Sequence, residues 1–363
     1  VTTTQMLDVS DVDVLLGGLL TPCDTDLVER WGVRLAAGGT PEELITRRLL
    51  AKTFRKSPLD RQVAGRVEQV VSYTVRRGQP LRLLVPFGGY KSPSSPEYPS
   101  AGWAELFAVA GLCELVSPIC ALHPAGAVIE FCSDEALVPR LTGADPQTLR
   151  TYRNAFDEVL RTVARDQAPN LKLRQTFVRH AYDIDDLTTR MQSLGRRLET
   201  EWFPTLPAAD QERLLRGAAN NDFHAVDGRT GRSPEALRRS VCEHQAYLEI
   251  DNRERAHQLY RSDTVPIALR RGIPGWLHLG SNRRSATQFW MGYGLFDLTA
   301  GHRPAAHILP PRRAAAVLPR IRHLPNPRST SPGLDRLPVL TAGAATPPHD
   351  YCAATPRRTR SLR

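Results

Sequence analysis

The chain has 363 residues, 41% of them hydrophobic and 24% charged. Such a length allows one large domain or two, and the composition is that of a globular protein, not a disordered or membrane-embedded one. The formal charge of +10 invites a nucleic-acid reading, yet eleven arginines and no lysine stand against Asp335 and Asp350 beyond residue 300. The other 300 residues are therefore close to neutral, which argues against nucleic-acid binding as the main function.

Six cysteines, at positions 23, 113, 120, 132, 242 and 352, form no Cys-x-x-Cys pair and no zinc-type spacing. They read as reduced thiols in core positions, and no metal is expected. Residues Val1 to Asp13 contain no Lys or Arg, and the apolar run Val14 to Leu20 is too short to span a bilayer. The expectation is a cytoplasmic protein with no membrane partner.

In chain order, Asp60 opens a helix with Val63, Val67, Val70 and Val71 at helical spacing, stopped by Gly78 after Arg76 and Arg77. Leu81 to Val85, closed by Pro86 and Gly88-Gly89, has the form of a buried parallel strand entering a loop. Trp103 to His123 reads as a helix kinked or broken at Pro118. Ala127 to Cys132 is a second buried strand, ending in the capping-competent residues Ser133-Asp134-Glu135. A strand, crossover helix and strand imply a Rossmann-like, mostly parallel sheet with ligands beyond the carboxyl ends of its strands.

Helices are predicted from Asp145-Pro146 to about Arg165, over Asp185 to Phe203 and Ala208 to Gly217, and from the Ser233 cap towards Tyr260. Trp276 to Leu279 and Ala286 to Met291 then read as two strands around the polar turn Gly280 to Arg284, completing the sheet. Beyond His302 come eleven prolines and no apolar period long enough to offset ordering entropy. The fold class is thus α/β, with one catalytic domain over residues 1–300. Its sheet core lies at about 60–165 and 265–300, with a helical insertion at about 166–264, and a disordered Arg/Pro-rich tail occupies 301–363.

Between residues 75 and 160 the order of segments is Gly78-Gln79-Pro80, the strand to Val85, Pro86-Phe-Gly-Gly-Tyr90-Lys91-Ser92-Pro93, a helix carrying Glu105, Pro124-Ala-Gly-Ala-Val-Ile129, Cys132-Ser133-Asp134, Leu141-Thr-Gly143 and Tyr152. This series resembles the isocyanide (isonitrile) synthases of the pyoverdine and dityrosine biosynthesis family. The chain departs from that pattern after Asp134, where Glu135-Ala136 stands in place of Gly-Arg, and it has only a loose counterpart, Ile267 to His278, of a later segment. The resemblance implies an enzyme of secondary metabolism that joins an amino-acid amine, often aromatic, to the ketone of ribulose 5-phosphate and needs no metal or organic cofactor.

Imine formation and the fragmentation after it require proton transfer by groups tuned near neutrality, and a phosphate requires fixed donors. Lys91, Asp134 and His278 are the catalytic candidates. Lys91 is one of four lysines in an arginine-rich chain, and its pKa can fall on burial, although a solvated loop lysine is its plain alternative. Asp134 is either a helix cap or a proton acceptor and amine anchor. Tyr90, Ser92, Ser133, Glu105, Arg283 and Arg284 are the substrate-binding candidates. Ser133 reads more simply as a cap, Glu105 as an exposed first-turn carboxylate, and Arg283-Arg284 as a solvated turn. Gly88-Gly89 lacks a dinucleotide fingerprint, and His224 to Asp227 lacks iron-site spacing. Two further readings stand beside the first: another amino-acid-modifying transferase on the same scaffold, and a non-enzymatic binding protein using its basic tail.

Overall fold

A computed structural model of the chain describes residues 9–20, 24–55, 58–225, 230–254, 263–269, 276–279, 288–298 and 305–340. Helices α1 (Val9–Leu20), α2 (Thr25–Ala36), α3 (Pro41–Leu49) and α4 (Arg61–Arg76) come first. Asp24, Thr40 and Asp60 cap the last three by accepting from the backbone N–H of Leu27, Glu43 and Gln62. Helix α4 buries the valine stripe read from its spacing, together with Thr74.

Next come β1 (Leu81–Phe87), α5 (Trp103–Leu122), β2 (Ala127–Ser133), α6 (Val138–Thr142), α7 (Pro146–Ala164) and β3 (Leu171–Phe177). Helices α8 (Ile184–Glu201), α9 (Ala208–Ala219) and α10 (Pro234–Glu254) precede β4 (Thr264–Ala268) and β5 (Leu277–His278). The five strands form one all-parallel sheet in the order β3-β2-β1-β4-β5. Strand β2 is buried at all seven positions, as a strand covered on both faces must be. The order reverses between β1 and β4, which makes their carboxyl ends the switch point of the sheet.

Helix α5 buries sixteen of its twenty residues, and this burial explains why it is apolar on every side. Among the described residues it alone has the length and hydropathy of a membrane span, and 78% of that window is buried inside the fold. Pro118 was expected to kink or break the helix; it does not break it, since α5 continues to Leu122. A proline leaves the carbonyl four residues earlier without its helical donor. Here Arg48 of α3 reaches across, donating from Nη2 to the Glu114 carbonyl at 2.6 Å and from Nε to that of Leu115 at 3.1 Å.

Three expectations are corrected. Strand β3 lies inside the stretch read as a helical insertion; at the sheet edge only Leu171 of its seven residues is buried, and it lacks the apolar run that marks β1 and β2. Phe289–Met291 forms a 3-10 turn, not a strand, and β5 pairs in parallel with β4, not in a hairpin; the turn at 280–284 lies outside the described residues.

The third correction concerns residues 305–340, which are folded. Strands β6 (Tyr293–Asp297) and β7 (Ala305–Leu309), helix α11 (Pro311–Val317), and strands β8 (Ile321–Pro325) and β9 (Arg336–Leu340) build a second sheet in the order β7-β6-β9-β8. Its apolar residues are few but fall at strand spacing: Ala306 and Ile308, then Leu337 and Val339, turn inward. Pro311 opens α11 and Pro325 ends β8, places where proline costs little. At Gly294 of β6 a Cβ would lie 2.3 Å from the Trp103 carbonyl carbon, so only glycine lets this sheet close on the start of α5. The remainder of the expected tail, 301–304 and 341–363, lies outside the described residues.

Candidate functional site

A cavity of about 590 Å³ opens at the switch point. Its floor comes from strand ends: Phe87, Gly88 and Tyr90 after β1, Asp134 after β2, and Ala268 and Leu269 at the end of β4. Its cover comes from α9 and α10, with Arg213 and Leu214 on the first and His244, Tyr247 and Asp251 on the second. Helices α8 and α10 pack along each other behind this wall, and Arg140 after β2 grips Glu243 of α10 with Nε at 2.8 Å and Nη2 at 2.6 Å.

Asp134 is held at the cavity by the loop around it. Its backbone N–H donates to the Phe87 carbonyl at 3.1 Å, tying the end of β2 to that of β1. Ser133 accepts the Glu135 N–H on Oγ at 3.1 Å, which closes the turn after β2; the cap position of α6 is Leu137, so the serine is not the helix cap it was expected to be. The Asp134 carboxylate instead accepts from the Tyr247 hydroxyl at 2.6 Å, across 113 residues of chain. Gly89 makes the tight approach possible, with φ +70° and a Cβ position that would fall 1.8 Å from the Ser133 Oγ.

Tyr90 lines the cavity and packs edge-on against Phe223. Desolvation pushes its phenol up to about 12, against a hydrogen bond with Trp290 and with the help of the Asp134 charge. Ser92 is buried, 3.0 Å from the Ser94 hydroxyl, and donates to Asn221 at 3.2 Å; it braces the cavity wall without lining it. His278 sits half-buried on β5 away from the lining, whereas Trp276, two residues earlier, is part of it. Arg283 and Arg284 lie outside the described residues.

The expectation that Lys91 and Asp134 share one pocket is not met. Lys91 is fully buried away from the cavity, with its Nζ 3.0 and 2.9 Å from the two Glu105 oxygens and also bonded to Glu97. Glu105, expected to be exposed, is fully buried as well. It accepts from the Gly102 N–H at 2.9 Å and the Tyr152 hydroxyl at 3.2 Å. Glu97 accepts the N–H groups of Trp103 at 3.0 Å and Gly294 at 3.4 Å, and the cluster thereby fastens the second sheet to the start of α5. Burial alone would pull the Lys91 ammonium down, but Glu105 and Glu97 outweigh it and hold it above the usual lysine value. Burial raises the Glu105 carboxyl to about 7 against the pull of Lys91. Two buried carboxylates facing one ammonium leave one negative charge in excess, and holding a proton relieves it.

Glu135, which departs from the family pattern, turns into the protein and draws in Arg153 and Arg179, each at 3.2 Å. Sequence reasoning missed the cover. Ser240, His244, Tyr247 and Asp251 all line the cavity, and their spacing of four, three and four residues was a readable polar stripe on one face of α10. Among the described residues no group of three or more His, Cys, Asp or Glu is placed to hold a metal ion.

Together the sheet order, the switch-point cavity and the helical cover define a Rossmann-like α/β protein whose cavity lies between the carboxyl ends of the strands and the helices. The crystal structure of the PvcA protein from Pseudomonas aeruginosa has a similar fold, with a TM-score of 0.58 and 14% sequence identity over 83% of this chain and 100% of that one. No family model matches the chain, and no curated protein sequence matches it.

Proposed function

We propose that the chain is an isocyanide-synthase-like enzyme that converts the amine of an amino acid to an isonitrile, with a pentose phosphate as the second substrate. The carrying observation is Asp134: the aspartate of the Cys132-Ser133-Asp134 segment stands at a switch-point cavity, and a phenol hydroxyl donates to its Oδ1. The fold likeness to PvcA and the motif order from Val75 to Leu160 support the same reading. A carboxylate beside Phe87, Tyr90, Trp276 and Trp290 suits an aromatic amino acid, whose ammonium it would anchor and whose ring the wall would cover. Asp134 would then accept the proton that the ammonium must lose before it can attack a ketone carbon.

Lys91 enters this reading as a support. Its ammonium anchors the loop that carries Tyr90, and an ammonium held between two carboxylates is a poor proton donor to a distant substrate. The test is to incubate the protein with L-tyrosine or L-tryptophan and ribulose 5-phosphate and to follow the isonitrile by mass spectrometry. Formation of the isonitrile is expected; its absence with every amino acid and pentose phosphate tried would overturn the reaction. A second reading, an amino-acid-modifying transferase with another co-substrate, draws on Glu135-Ala136, which stands where the pattern has Gly-Arg and so lacks its cation, while Glu135 binds Arg153 and Arg179.

A further inference from the structure

Tyr247 lies on α10, far in sequence from the sheet edge, and is 2% exposed. Its ring packs in a small core with Leu137, Val178, Tyr182, Met191 and Ile250, and a phenylalanine would fill that space equally well. The hydroxyl is therefore unexplained by packing. A buried phenol O–H must find an acceptor, and this one uses the carboxylate at the cavity wall, at a distance typical of charge-assisted O–H···O bonds. We propose that Tyr247 is a positioning residue for Asp134: by engaging Oδ1 it fixes the plane of the carboxylate and makes the helical cover part of the reacting unit. The inference rests on the reading of this cavity as the place where the substrate amine is handled.

The geometry separates this role from a purely structural one. Asp134 is already secured in the backbone by its own N–H on Phe87 and by the Ser133 turn. Loss of the phenol hydroxyl should leave the loop in place and remove one restraint on the side-chain torsion. A carboxylate with that restraint removed spends less time in the geometry that accepts the substrate proton, which lowers turnover and leaves ring binding largely intact.

Wild type, Y247F, D134N and the double variant are compared for kcat and KM of isonitrile formation, for L-tyrosine binding by calorimetry and for melting temperature. Y247F is expected to fold as wild type and to lose about tenfold or more in kcat with KM changed less than about threefold. Added to D134N, it should cost nothing further, because the two groups act as one. A Y247F turnover equal to that of an active wild type, or single losses that multiply in the double variant, would overturn the role of Tyr247 alone. An inactive wild type that still binds L-tyrosine would refute the isonitrile reaction. In that case weaker binding in Y247F, absent on the D134N background, supports the positioning role, and unchanged binding refutes it. A wild type that neither turns over nor binds overturns both.

Discussion

Lys91 and Asp134 follow adjacent parallel strands, and their surroundings put similar raw materials to opposite uses. Around Lys91 one ammonium meets two carboxylates, which also accept from a tyrosine hydroxyl and backbone N–H groups, and the second sheet closes over the set. Around Asp134 a carboxylate meets a phenol and then a cavity of about 590 Å³. Charge at a strand end marks a place where the fold has handled desolvation; what separates the two is that Asp134 lines the cavity and Lys91 is enclosed away from it.

The strongest way to break this comparison is to remove the wall around the first cluster. Deletion of residues 305–363 takes β7, β8 and β9 from the second sheet, exposes α5 and loosens the Gly294 strand that reaches Glu97. The expected result in a thermal or denaturant scan is loss of the cooperative transition, whereas a melting temperature equal to that of the full chain would mean that the segment contributes nothing to the fold. Next in size, Lys91→Met leaves two buried carboxylates without their cation and should destabilise the protein by about 3–5 kcal/mol in urea unfolding. A change below about 1 kcal/mol would show that the cluster is not as buried as described.

Asp134→Asn sharpens the other side. It keeps the shape and the loop, so the unfolding midpoint should hold, while isonitrile formation should fall by about 10²-fold or more. Retained turnover would move the chemistry elsewhere. The smallest effect is in pH. Glu105 titrates higher in the fold, near 7, than its ordinary value of 4.5, so its contribution to stability is complete below about pH 4.5 and is lost as pH rises through about 7. Melting temperatures from pH 5 to 8 should therefore show Glu105→Gln gaining on wild type as pH rises, and a constant difference between the two would contradict the raised carboxyl.

Much of the architecture was legible because its signals are local. Strands β1 and β2 are apolar runs bounded by Pro, Gly and Ser, α7 and α10 start at Pro after a capping residue, and α4 carries its valines at helical spacing. The parts that were missed depend on distant partners. Edge strand β3 needs a neighbour to be recognised, and the few apolar residues of β7 and β9 matter only because α5 lies beneath them. The unbroken course of α5 through Pro118 relies on Arg48, 66 residues before the carbonyl it satisfies. The same holds at the site. Residue type pointed to Lys91, Asp134 and Glu105, but which of them would face a cavity was decided by Glu97, Tyr152 and Tyr247, whose approach no local pattern encodes.

The central claim is that ligand chemistry belongs to the Asp134 cavity and structural support to the Lys91 cluster. Calorimetric titration of L-tyrosine into folded wild type and Asp134→Asn tests it most directly. The account predicts that the variant loses at least about tenfold in affinity, the scale of one charge-assisted bond to the substrate ammonium. Equal binding by the two proteins would contradict it.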